Sequence, residues 1–181
     1  MATICTTALP VLVQNFCDPK FIQGPIEQFF WTRKGDSLTD ASDPDEWDTR
    51  LSNSTALPSP GTDAPIRYID VIGELPLPEV PTVEASRGRT FTGTPKYTAS
   101  LLSDDLPTEM MTFANAMKGK TYTYSCWFVA GGRLFGGNTG FDAQLSVLGF
   151  TIPNANTDLM KLTLNVVFEG DFPGHIASPF E

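Results

Sequence analysis

Apolar and polar residues alternate most cleanly over Asp158 to Glu169, where Met160, Leu162, Leu164, Val166 and Phe168 face one way and Lys161, Thr163, Asn165 and Glu169 the other. Side chains two apart on a strand share a face, so this segment predicts a β-strand with one face in a core and one in water. Phe141 to Ile152 repeats the pattern, with Phe141, Ala143, Leu145 and Val147 set against Asp142, Gln144 and Ser146. Ahead of them, Thr121 to Ala130 predicts a strand, Gly131-Gly132 a two-residue turn, and Arg133 to Phe135 the returning strand. Paired glycines supply the positive φ angles that a tight hairpin requires. Just upstream the period changes. Leu106, Met110, Phe113, Ala114 and Met117 recur at helical spacing, predicting a short helix that starts near Asp104 or Asp105 and carries Pro107 in its first turn. Capping and the helix macrodipole account for the two aspartates, and Gly119 supplies the left-handed residue that ends the helix.

The first hundred residues are less regular. Ala8 to Val13 and Phe21 to Thr32, with Ile26, Phe29, Phe30 and Trp31, predict strands or strand fragments packed on the body. Asp36, Asp40, Asp43, Asp45, Glu46 and Asp48 then crowd a stretch that ends at Arg50, and Leu51 to Ala64 is rich in Ser, Thr, Asn, Pro and Gly. Residues 33 to 64 therefore read as one long exposed loop, of a length that compact domains usually reserve for function or leave disordered. Pro65 to Ile72 resumes a β pattern, Leu75 to Pro81 predicts an extended connection, and Arg87 to Ser100 predicts a further strand region rich in threonine. Within it, Gly93 and Pro95 mark a bulge or an edge.

The chain has 181 residues, of which 41% are hydrophobic, enough for a single domain over 1–181 with one core and no second required. Glycine and proline number 15 each, which favours many turns between short strands and a mainly β fold. A formal net charge of −9 repels nucleic-acid phosphates and anionic membranes, arguing against a sequence-reading DNA binder. No apolar run reaches the roughly 18 residues of a membrane span, and the N-terminus lacks a signal-peptide pattern, so the expected setting is a reducing cytoplasm. Cys5, Cys17 and Cys126 then read as free, mostly buried thiols, with a Cys5–Cys17 bridge left open.

Chemistry is sparse. His175 is the one histidine, near the C-terminus, and reads as a surface residue rather than the base of a Ser-His-Asp or Cys-His site. Neither it nor the cysteines show the ligand spacing of zinc. Asp43, Asp45 and Asp48 invite a calcium reading, but the segment lacks the central glycine and terminal glutamate of an EF-hand, which favours a solvated acidic loop. Gly131 to Gly137 has no Gly-Lys-Ser/Thr and opens no helix, so a hairpin accounts for it better than a phosphate loop. Asn53-Ser54-Thr55 fits a glycosylation sequon that matters only in a secreted protein. No enzyme, metal or cofactor is expected.

Two tryptophans stand out. Trp127 lies within a predicted strand and is either core or a subunit contact, whereas Trp47 sits in the acidic stretch, where water is a poor environment for an indole. Trp47 either anchors the loop on a neighbouring subunit, with Asp43, Asp45 and Glu46 beside it, or folds back on its own domain.

From Asp104 to Pro173, the succession of short helix, hairpin ending in Arg133-Leu134-Phe135-Gly136, strand Ala143-Gln144-Leu145-Ser146-Val147 and closing Leu162-Thr163-Leu164-Asn165-Val166-Val167-Phe168-Glu169-Gly170 resembles the tail tube subunits of long-tailed bacteriophages and related injection systems. The resemblance implies a β-sandwich or barrel-like subunit with one flanking helix. It also implies a homo-oligomeric ring, typically a hexamer, whose stacked copies enclose a channel for DNA as transient, non-specific cargo. Residues 33 to 64 would bridge subunits or rings, other virion proteins would be partners, and no residue would be catalytic. Such a subunit belongs in the virion and is assembled in the host cytoplasm. Open sheet edges would join copies, and carboxylates outside the loop would face the bore or outer solvent rather than subunit contacts. The alternatives are a capsid decoration or head-to-tail connector protein and, from another class, a calcium-dependent β-sandwich module that binds carbohydrate.

Overall fold

The computed structural model describes residues 24–52, 65–85, 88–104, 108–154 and 159–180. The predicted strand at Ala8 to Val13, Cys5, Cys17, the Asn53-Ser54-Thr55 triplet, Asp105, Leu106 and Pro107 lie outside them.

The fold is mainly β. Strands β1 (Ile26–Arg33), β2 (Arg67–Glu74), β5 (Lys96–Ser103), β6 (Thr121–Ala130), β8 (Phe141–Thr151) and β9 (Lys161–Glu169) pair antiparallel in the order β1-β2-β5-β9-β8-β6, and β6 pairs back onto β1. They form a closed six-stranded barrel. Beyond it, β7 (Arg133–Phe135) continues along β6 and β10 (His175–Ala177) adds to β7. The remaining strands, β3 (Thr82–Ala85) and β4 (Arg89–Thr92), pair only with each other, as a separate ribbon. The predicted strand over Arg87 to Ser100 is thus two strands, parted at Gly93 to Pro95, where proline has no N–H to give a ladder.

Alternation places the barrel core. Tyr97, Ala99 and Leu101 of β5, Leu162, Leu164, Val166 and Phe168 of β9, Ala143 and Leu145 of β8 and Ile69 and Val71 of β2 all point inward and are buried. The phase predicted for β8 holds as far as Val147, where a bulge before Gly149 resets it and leaves Leu148 exposed. Helix α2 (Thr108–Met117) packs Met110, Phe113, Ala114 and Met117 against this core, as the helical spacing predicts. Its Phe113 ring lies 5.5 Å from Trp31, and the Tyr124 hydroxyl donates to Met117 Sδ at 3.9 Å. Asp104 follows β5 as an exposed residue short of the helix, which is first described at Thr108. Gly131 and Gly132 have φ of 54° and 68°, the positive pair of a type I′ hairpin.

A second core lies outside the barrel, where one had been expected to suffice. Phe30, Trp127, Val129 and Leu134 point outward from β1, β6 and β7 and meet Leu38, Ala41, Trp47 and Ile66, with Leu51, Ile176 and Phe180 packed around them. The element that covers them corrects the reading of residues 33 to 64 as one exposed loop, because Pro44–Ser52 forms helix α1. Asp43 precedes it and accepts a hydrogen bond from the Asp45 N–H at 3.0 Å; Pro44 takes the first helical position, where a missing N–H costs nothing.

Candidate functional site

Each predicted contact residue has a definite place. Trp47 has no exposed surface; its indole N–H donates to the Ala41 carbonyl at 3.0 Å, and its ring meets Phe30 at 5.2 Å and Trp127 at 5.8 Å, both edge-on. Of the two readings of Trp47, folding back on its own domain describes the structure, since a fully buried indole leaves nothing for a neighbour to grip. Trp127 is equally buried, which makes it core. The structure therefore joins the two tryptophans, but inside one chain.

The acidic residues around Trp47 hold backbone. Glu46 accepts from Thr39 N–H at 2.9 and 3.1 Å and from Asp40 N–H at 2.9 Å, while Asp43 caps α1 and Asp45 lies exposed in its first turn. Asp40 accepts from the Ser42 hydroxyl at 2.6 Å and the Ser42 N–H at 2.9 Å, which holds its carboxyl below the usual carboxylate range. Further bonds brace the segment internally and tie it to β6 and to Asn138 in the turn after β7. Arg50 Nη1 donates to the Ser37 carbonyl at 2.7 Å, Gly35 N–H to Ser125 Oγ at 3.0 Å, and Asn138 exchanges bonds with Ala41 N–H and the Thr39 carbonyl at 2.9 and 3.0 Å. Among the described residues, no group of three or more His, Cys, Asp or Glu side chains could hold a metal ion. Burial pushes the Cys126 thiol far up, so it stays protonated inside the barrel. His175 is exposed and stacks on Phe135 at 5.3 Å.

Among the described residues, two surfaces stand out for recognition. One is the β3–β4 ribbon, whose directly opposed Val83 and Phe91 are 65% and 58% exposed, with Leu77 and Val80 also exposed on the approach to it. A two-stranded ribbon buries too little to be stable alone in water, so an uncovered apolar pair on one marks a contact surface. The other is a groove of about 740 Å³ between α1 and the outer face of β1 and β2, lined by Gln28, Phe30, Asp48, Thr49, Leu51, Tyr68 and Phe180. Tyr68 is 52% exposed and lies against Phe30 with ring centroids 6.0 Å apart, and Gln28 Nε2 donates to Asp70 Oδ1 at 3.1 Å beside it.

Sequence reasoning named Phe30 as a strand residue and Asp48 as part of the acidic stretch, but assigned neither the groove nor the ribbon a role. The alternation of Tyr68, Asp70 and Ile72 against Ile69 and Val71 was the available signal, since it puts an aromatic and a carboxylate together on the wet side of β2. Family models, curated proteins and solved structures give no match to this chain.

Proposed function

We propose that the chain is a virion structural subunit that assembles with copies of itself into a ring or stacked tube around a channel, in the manner of phage tail tube proteins. The observation that carries the reading is the β3–β4 ribbon, which leaves Val83 and Phe91 in water and has no core of its own. A second copy supplies the cover that a lone subunit lacks.

The outer face of β6, β8, β9 and β5 suits a channel wall. Thr121 and Thr123, Gln144 and Ser146, Thr163 and Asn165, and Thr98 and Ser100 present hydroxyls and amides there, with Lys96 and Lys161 balanced by Asp142 and Glu169 and with Leu102 and Leu148 as exposed apolar residues among them. Such a face has no cation cluster to hold phosphates by counterion release, so DNA would pass without sticking. Glu27, Asp70, Glu74, Glu79, Glu84, Asp142, Glu169 and Asp171 are exposed in the single chain, which leaves them free to line a bore or the outer surface.

Sedimentation and negative-stain microscopy of the purified chain test the reading. Rings or stacked tubes are expected, and Phe91→Asp, which places a charge on the ribbon without touching the barrel, should reduce the assembled fraction about tenfold. A chain that stays monomeric up to about 1 mM, a concentration at which even weak contacts form, would overturn it.

A further inference from the structure

The groove between α1 and the β1–β2 face is not used by the assembly reading, and its chemistry is its own. Tyr68 stands directly opposite Phe30 on the neighbouring strand, and Phe30 is in turn stacked on Phe180 at 5.0 Å and braced by Trp47. The Tyr68 ring is therefore a fixed platform with half its surface in water, and it costs little entropy to bind against. Polar groups flank it on both sides. Gln28 and Asp70 form a hydrogen-bonded amide–carboxylate pair on the strand side, which offers a donor and an acceptor together. Asp48 and Thr49 line it from α1, where the Thr49 hydroxyl donates to the Asp45 carbonyl at 2.9 Å and the exposed Asp48 carboxylate offers acceptors. Among the described residues, no lysine, arginine or histidine lines the groove.

We propose that this groove binds a neutral sugar ring. A pyranose has one face of C–H groups that packs on an aromatic plane and a rim of hydroxyls that each donate and accept, which is the combination of surfaces found here. An anionic saccharide would meet the Asp48 carboxylate with no cation among the described lining residues to offset it. The volume of about 740 Å³ holds a short oligosaccharide and lies within the range of ordinary ligand sites. No calcium ion is needed, which separates this site from the calcium-dependent module weighed above.

The test uses the full chain, isotope-labelled, titrated with neutral cello-, malto-, xylo- and N-acetylglucosamine oligosaccharides while NMR shifts are followed. At least one series should move the resonances of Gln28, Asp48, Thr49 and Tyr68 with a dissociation constant of about 1 mM or tighter. Tyr68→Ala should weaken that binding about tenfold, whereas Tyr68→Phe keeps the platform and stays within about threefold. Asp48→Asn, on an exposed helical position clear of the core, guards against misfolding as the cause and should also weaken binding. The proposal is overturned if no series moves these resonances at about 20 mM, if Tyr68→Ala binds like the parent, or if arginine methyl ester occupies the groove while every sugar fails. Assembly into rings is read separately, so either reading can fail alone.

Discussion

Trp127 shows how a single side chain dictates its surroundings. Its indole N–H donates to the Gly137 carbonyl at 2.7 Å, and the loop from Gly136 to Gly140 wraps the ring so closely that a β-carbon at Gly136 would fall 2.6 Å from the indole, and one at Gly140 2.9 Å from it. Gly136 and Gly140 also have φ of 122° and 67°, so glycine is required there by both space and backbone. Gly137, at φ 57°, has open space instead. Gly136→Ala should therefore cost about 2–4 kcal/mol, from overpacking added to backbone strain, and Gly137→Ala only about 1 kcal/mol. Urea denaturation separates the two, and equal losses would mean that the indole does not set the loop. The sequence shows Gly136 and Gly137 as part of a hairpin feature, but the need for Gly136 and Gly140 comes from a ring that only the folded chain brings over the loop.

At the scale of elements, α1 decides whether the barrel's outer face is dry. Trp47→Ala removes a fully buried indole from the outer core and should destabilise the chain by about 3–5 kcal/mol, against about 1 kcal/mol for the capping change Asp43→Ala, both read from denaturation midpoints. If Trp47→Ala melted like the parent, the outer core would not contribute to the fold. The half-wet strands β8 and β9 and the buried face of α2 were legible because their periods of two and of 3.6 are clean. α1 was not, because net acidity masked its start and stop marks: Asp43 at the cap, Pro44 next, Glu46 two residues on, Trp47 and Leu51 one turn apart, and Arg50 in the last turn. A related signal lay in Phe29-Phe30-Trp31 and Cys126-Trp127-Phe128-Val129-Ala130. Unbroken apolar runs belong to strands covered on both faces, and these are two of the three strands on which the outer core rests. The groove escaped notice because Tyr68 and Asp48 meet only through tertiary packing.

For the whole molecule, closure changes how copies can meet. The pairing of β6 with β1 gives each barrel strand two partners, so edges open to another copy lie outside the barrel. Among the described residues, β3, β4 and β10 are the strands with a single partner. Any association must also overcome the mutual repulsion of chains carrying a formal charge of −9 each. Raising the salt concentration from about 0.05 to 0.5 M should accordingly increase the assembled fraction, since the screening length shrinks to a few ångströms. Sedimentation at the two ionic strengths checks this, and dissociation by salt would show ion pairs, rather than the apolar ribbon, to be the contact. Closure has one more consequence, for a load pulling along the strands. A cylinder whose staves are each fastened to both neighbours offers no loose end from which to unzip, so such a load has to shear a whole seam, and the shortest is the three-pair register between β2 and β5.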